Sequence, residues 1–279
     1  MPDPQFAVDR DHLVATYDQV ADVYDTPARR YSPFCADRMV MQLKPRRGAK
    51  LLDVATGTGS TLTAAAQLVG RDGRVTGIDL AERMLDAAQH NIDKMAQANV
   101  DLHVMDAQAL EFRSRYFDHV TCAYGLYLLP DMPAALKQWY RVLKPGGTVI
   151  LSSFARGAFQ PMAHLLREQL AEFGMHVAPP PWLRLTELEH CRALLHDAGF
   201  TDIETHTEQL GYHLKGATDW WELVWSGELR ANIEQLDPEQ QTQLHRDHCA
   251  RVEALVTDKG LWLDVETIFA SGRRPQDSG

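Results

Sequence analysis

Ten residues, Leu51-Leu52-Asp53-Val54-Ala55-Thr56-Gly57-Thr58-Gly59-Ser60, constrain the fold of this chain more than any other stretch. They read as a short buried strand that ends on a carboxylate and breaks into a glycine-containing turn. The turn opens an alanine-rich helix, Ser60 to Val69, which stops at Gly70. A helix launched from such a turn offers unpaired backbone N–H groups to a ligand. Twenty-two positions after Gly57, a second strand, Arg74 to Asp79, also ends on a carboxylate. A tight turn, a helix N-terminus and an acid about 20 residues on describe a nucleoside-binding crevice in an open α/β sheet.

The alternation continues from about 50 to 155, the mark of a parallel sheet covered by helices on both faces. Met84, Leu85, Ala88, Ile92 and Met95 recur at helical spacing; Val100 to Met105 is a third strand, ending at Asp106. Asp118 to Ala123 is a fourth strand, leading into Tyr124-Gly125-Leu126-Tyr127. Asp131 caps a helix with Ala135, Leu136, Trp139, Val142 and Leu143 on one face. Lys144-Pro145-Gly146-Gly147 stops it, and Thr148 to Leu151 is the fifth strand. The fold class expected is α/β, with a Rossmann-like, doubly wound, mostly parallel sheet.

The flanks complete one expected domain over 1–279: an N-terminal helical cap (1–45), a core (46–155) and a second half (156–279). Helices are expected over 158–173 and from Leu188 to Asp197, with Pro179-Pro180-Pro181 as a rigid link. Strands are expected from Ile203 to Leu214 and from Leu261 to Ala270. Between those strands lies an aromatic helical insert, about 217–259, broken at Asp237-Pro238, where a pocket wall belongs. Beyond about Ser271 a frayed tail is expected.

The formal net charge of -10, with no basic stripe, argues against a nucleic-acid partner. Met1 to Gln5 has neither a basic leader nor an apolar run, so no secretion signal is expected, and no segment reaches the roughly 18 apolar residues needed to span a bilayer. Cys35, Cys122, Cys191 and Cys249 are scattered, as in reduced thiols, so a cytoplasmic location is expected. Apolar flanks leave homo-oligomerisation open.

Ligands in doubly wound sheets sit at the carboxyl ends of the strands, where Asp53, Asp79 and Asp106 fall in order. Asp79 suits two ribose hydroxyls, and Asp106 suits an exocyclic amine of a base. Gly57 and Gly59 permit close approach to backbone. A dinucleotide is disfavoured because Leu62 occupies the third glycine position of G-x-G-x-x-G. Asp53 also sits badly beside a pyrophosphate and well beside an ammonium or net positive charge.

The chain resembles the class I S-adenosylmethionine-dependent methyltransferases, specifically the group similar to the ubiquinone/menaquinone-biosynthesis C-methyltransferases. Leu52 to Gly59 matches that family's first motif, with Ala55 at the first glycine position. Asp79 matches its ribose-binding acid, Asp106-Ala107 its adenine pair, and Arg141 to Gly147 the signature before its fifth strand. Tyr17 to Asp25 resembles its cofactor-covering helix; the likeness runs over about 14–155. The resemblance implies S-adenosylmethionine as cofactor, held by Tyr24, Asp53, Ala55, Gly57, Thr58, Gly59, Asp79, Leu80, Met84, Asp106, Ala107, Ala123 and Tyr124. It implies in-line methyl transfer to a small-molecule acceptor at O, N, C or S, largely by positioning.

The acceptor side is expected at Tyr127, Phe159, His213, Trp220, Trp221 and Trp225. If the acceptor must lose a proton, His213 is the first choice of base and His164 the second. His245, His248 and Cys249 share a helical face with metal-compatible spacing, but no second cluster completes a site, and no metal is expected. Two other readings keep part of this picture. One is a bound sulfonium used for cyclisation or decarboxylation; the other is a non-catalytic binding protein with a degenerate site.

Overall fold

The computed structural model describes residues 9–277. Its strands are β1 (Lys50–Val54), β2 (Arg74–Asp79), β3 (Val100–Val104), β4 (Phe117–Ala123), β5 (Leu143–Phe154), β6 (Thr201–Gln209), β7 (Tyr212–Leu214), β8 (Leu261–Leu263) and β9 (Glu266–Arg273). Seven of them form one sheet in the order β3-β2-β1-β4-β5-β9-β6, and β7 and β8 pair separately. Strands β1 to β5 run parallel, while β9 is antiparallel to both of its neighbours. The doubly wound, mostly parallel sheet is the expected one. Leu51, Leu52, Val54, Val120, Val149 and Leu151 are fully buried, as strands covered on both faces require.

Among the described residues ten α-helices flank these strands: α1 (Arg10–Val20), α2 (Tyr31–Leu43), α3 (Ser60–Val69), α4 (Glu82–Lys94), α5 (Met132–Val142), α6 (Met162–Glu172), α7 (Leu188–Asp197), α8 (Ala217–Trp225), α9 (Arg230–Ile233) and α10 (Pro238–Glu253). Met84, Leu85, Ala88 and Ile92 form the buried stripe of α4. Asp131 caps α5 through the Ala134 N–H. In α5 the indole of Trp139 is fully buried and donates to the Ala107 carbonyl at 3.1 Å, which anchors the end of the β3 loop. No helix among the described residues is long and apolar enough to cross a membrane.

Several boundaries differ from expectation, each for a local reason. Lys144 to Gly147 continue into β5 as a bulge: pairing with β4 slips between Phe117↔Leu143 and His119↔Thr148, and Gly146 adopts a φ of 77°. The segment Ile203–Leu214 holds two strands in different sheets, because the chain turns at Leu210-Gly211; Asp264-Val265 divides Leu261–Ala270 in the same way. Phe159 lies before α6 at a φ of 64°. Asp237-Pro238 opens α10 with a capping box to Gln240, as its sequence predicts. A second break, Ser226 to Leu229, separates α8 from α9 and was not anticipated.

The expected tail begins as strand. Residues 271–273 belong to β9, and Arg274 is buried, donating to the Tyr140, Arg141 and Leu143 carbonyls at 2.8, 3.2 and 2.8 Å. Gly279 and Ser278 lie outside the described residues, as do Met1 to Gln5. The guanidinium therefore fastens the end of α5 to the end of the chain. Replacing it leaves buried carbonyls without donors. Arg274→Ala is expected to lose about 2–4 kcal/mol of unfolding free energy in a urea titration at constant m value.

Candidate active site

The strand order reverses between β1 and β4, and an open α/β sheet offers its crevice at that switch point. The register pairs Asp53 with Thr121 across these strands. Their side chains meet: Thr121 Oγ1 donates to one carboxylate oxygen of Asp53 and Thr56 Oγ1 to the other, both at 2.6 Å. Burial lifts the Asp53 carboxyl to about 6 against the pull of these two hydroxyls.

Beyond β1 and β4 the chain enters left-handed backbone on both sides of the crevice, at Ala55 (φ 52°) and Tyr124 (φ 53°). Non-glycine residues rarely adopt that conformation, and two at facing strand ends mark a constrained site. The turns touch at Gly125, where a Cβ would lie 2.7 Å from the Ala55 Cβ. Gly57, by contrast, has nothing within 4 Å of an added Cβ, so its backbone faces open space.

That space is a cavity of about 560 Å³, within the range of small-molecule sites. The turn Ala55–Thr58 and the first residues of α3 form one wall, with Asp53, Asp79, Met84, Ala123 and Tyr124. Asp79 accepts from the Gly57 N–H at 2.8 Å and the Ala81 N–H at 3.0 Å. Burial raises this carboxyl, while the two amides hold it down. A smaller recess shares Ala55, Asp79 and Gly125 with the cavity and adds Leu80, Asp106 and Ala107. There Asp106 accepts from the Gln108 N–H at 2.8 Å and from Arg10 at 3.0 Å. Gly59 caps α3 at a φ of 87°. Thus Asp53, Asp79 and Asp106, far apart in sequence, border two spaces with common walls.

The N-terminal segment roofs them. Tyr17 and Tyr24 line the cavity, and the Asp25 carboxylate accepts from Thr58 Oγ1 at 2.7 Å and from Asn91 at 2.9 Å. Arg29 is buried; its guanidinium lies 4.2 Å from the Tyr24 ring and donates to Ser226 O and Oγ at 2.8 and 3.0 Å.

The opposite wall agrees with expectation only in part. Tyr127, Phe159, His164 and Trp220 line the cavity. His164 is exposed and pairs with Glu168 at 3.1 Å, which places it at the rim. His213 does not line the cavity: it sits on β7, exposed, with its ring against Trp262. Its strand left the main sheet at Gly211, and that departure carries it away. Trp221 and Trp225 point elsewhere too, one packing on His245 and the other beneath Arg230. A helix presents residues i and i+1 about 100° apart, so Trp220 and Trp221 cannot face one space. Neither ring nitrogen of His248 is free: Nδ1 meets Gln169 at 2.6 Å and Nε2 accepts from Trp220 at 2.8 Å. Burial lowers this imidazole to about 4, so it is a neutral brace for the Trp220 wall. Sequence reasoning missed Arg29, Tyr31, Phe154, Arg167, Trp182 and Glu228, all of which line the cavity.

The profile of the ubiE/COQ5 methyltransferase family matches residues 10–180. The chain belongs to that family. Demethylmenaquinone methyltransferase of Staphylococcus aureus is 38% identical over 142 residues, 51% of this chain and 56% of that protein. The chain therefore spans little more than half the length of the curated relatives it matches. The fold extends the likeness further. The YcgJ protein of Bacillus subtilis superposes with a TM-score of 0.59 at 19% identity, covering 87% of this chain and 99% of that one. A SAM-dependent methyltransferase from Aquifex aeolicus gives 0.55 at 16% identity, covering 92% and 98%. At such identities the likeness is one of fold. The family match ends before α7, so α8, α9 and α10 lie outside it.

The buried Asp53 carboxyl has a pH consequence. Its folded state holds the proton more tightly than the unfolded chain, so stability falls as pH rises from about 4 to 6, by on the order of 3 kcal/mol from this group. Asp53→Asn should flatten that part of the stability–pH curve, read from chemical unfolding at pH 4, 5, 6 and 7.

Proposed function

We propose that this chain is an S-adenosylmethionine-dependent methyltransferase acting on a small molecule. The observation that carries the reading is the row of strand-end carboxylates Asp53, Asp79 and Asp106 beside the open backbone of Gly57. Membership of the ubiE/COQ5 family supports it independently.

The residues present fit the cofactor. Asp79 lines the cavity with one backbone amide on each oxygen, which fixes its orientation and leaves acceptor capacity suited to two ribose hydroxyls. The recess offers Asp106 as acceptor for an exocyclic amine, with Leu80 and Ala107 as apolar walls. Gly57 and Thr58, roofed by Tyr24, suit the amino-acid portion, and Asp53 adds negative charge behind a cationic ligand. Bound S-adenosylmethionine supplies an electrophilic methyl group. The protein's part is to hold the acceptor in line and keep water out, which the rings of Tyr31, Phe154, Phe159 and Trp182 accomplish as an edge-to-face cluster.

The acceptor side draws on residues after 180, beyond the family match, so we do not extend the relatives' demethylmenaquinone to this chain. A cavity of this size bounded by aromatic rings suits a compact, partly apolar acceptor. Calorimetric titration should show one site per chain for S-adenosylmethionine and for S-adenosylhomocysteine. Asp79→Ala should weaken both by at least about 30-fold, the effect of losing charge-assisted bonds to a buried carboxylate. No binding by the wild-type protein would refute the reading.

A further inference from the structure

We propose that Glu228 is the general base that takes the acceptor's proton, with Tyr17 as the residue that positions it. This deepens the methyltransferase reading and rests on it. Among the described residues three carboxylates line the cavity, and two have a protein hydrogen bond on each oxygen. Asp53 has a threonine hydroxyl on each oxygen, and Asp79 has a backbone amide on each. Glu228 differs: Tyr17 Oη donates to its Oε1 at 2.8 Å, and among the described residues no donor bonds Oε2. A carboxylate oxygen with no protein hydrogen bond at a ligand cavity is open to accept a proton from what binds there.

The local chain explains its place. Ser226-Gly227 ends α8, and Arg29 grips the Ser226 carbonyl and hydroxyl from across the cavity. Glu228, two residues on, is thereby directed inward instead of along a solvated helix face. The titratable and charged groups that face it are Tyr17 on α1, Tyr24 and Arg29 from the segment after it, Tyr31 on α2, Tyr127 after β4 and Arg167 on α6. Burial keeps all four phenols protonated well above neutral pH. Burial also raises the Glu228 carboxyl, against the Tyr17 bond and the two guanidiniums, toward the range where a base is effective. Neither guanidinium is committed to an acid: Arg29 is spent on neutral oxygens, and Arg167 donates to the Val177 and Ala178 carbonyls.

These cations, together with the sulfonium, disfavour an ammonium and favour an acceptor that arrives neutral with an O–H or N–H. In the transfer, the acceptor's electron pair forms the new bond to the methyl carbon as the sulfur–methyl bond breaks. That bond's electrons stay on sulfur, giving neutral S-adenosylhomocysteine, and the acceptor's proton passes to Glu228, which becomes the carboxylic acid. Glu228 lies beyond residue 180, outside the family match.

The test uses the full chain loaded with S-adenosylhomocysteine and 4-nitrophenol as probe. Calorimetry reads its binding, and phenolate absorbance reads its ionisation in the bound state from pH 5 to 9. A carboxylate in contact with the hydroxyl opposes its ionisation, so the midpoint in the wild type should lie about one pH unit above that in Glu228→Gln. Glu228→Asp keeps the charge but draws it back by one methylene; its midpoint should fall between the two, and it serves if glutamine at this position does not fold. Midpoints that agree within about 0.2 unit in wild type and variants, or failure of the loaded wild type to bind 4-nitrophenol, overturn the assignment. Failure of the wild type to bind S-adenosylhomocysteine overturns instead the reading on which it rests, and the assignment with it.

Discussion

The contact between β1 and β4 governs the rest of the molecule. A parallel pair at the switch point has helices leaving in opposite directions, so a gap opens above it. Here the gap's floor is made by paired Asp53 and Thr121, whose side chains close on one another beneath it. Ala55 and Tyr124 then carry both chains outward in left-handed backbone, and Gly125 lets them pass within a Cβ of contact. Relaxing any one of these would shift the Gly57 turn relative to the Tyr124 turn, and the cavity walls with them. The strain at Ala55 and Tyr124 persists because the surrounding ladder, including Tyr124 N–H to Ser152 and Thr56 N–H to Ile78, over-determines it.

A second set of contacts joins four separate stretches of chain over that floor. Asp25 reaches from the N-terminal segment to Thr58 in the turn and Asn91 on α4. Arg29 and Tyr17 reach the other way, to Ser226 and Glu228 in the insert. One short segment, 17 to 31, thus touches the strand-end wall and the insert at once. The two walls are fixed relative to one another by the same few bonds, and because Arg29 is buried its bonds act in a low-dielectric surrounding, where they are stronger.

How much of this was legible in the sequence differed between the two halves. Periodicity and turn residues sufficed for β1 to β4, since parallel strands and amphipathic helices repeat their patterns locally. The carboxylates at strand ends were legible for the same reason: the end of a strand is a sequence position before it is a place in space. After Phe154 the pattern weakens. Gly211 and Asp264 each divide a continuous strand-like run between two sheets, and nothing within those runs marks the division. The error at His213 follows directly, because its assignment assumed that β6 continued. Glu228 was missed because the insert reads as helix as far as Asp237-Pro238; the break at Ser226 is held by Arg29, which lies 197 positions from that serine. Trp220 and Trp221 illustrate the same limit at close range. Both are insert tryptophans, and only the packing of His248 between Gln169 and Trp220 decides which one faces the cavity.

That division has a physical rationale. The strand-end wall of the cavity is built from backbone groups and short side chains, which tolerate little change because glycine, left-handed backbone and sheet register are all involved. The opposite wall is built largely from side chains braced by other side chains: Trp220 by His248, Glu228 by Tyr17, and the α8–α9 break by Arg29. A brace can be exchanged without disturbing the sheet, whereas a change at Ala55, Tyr124 or Gly125 moves the register on which both turns depend. The family match, residues 10–180, takes in the whole strand-end wall and also Tyr127, Phe159 and Arg167 of the opposite one, and stops short of Trp220 and Glu228. The cavity is thus a backbone-built cradle facing a wall built of side chains.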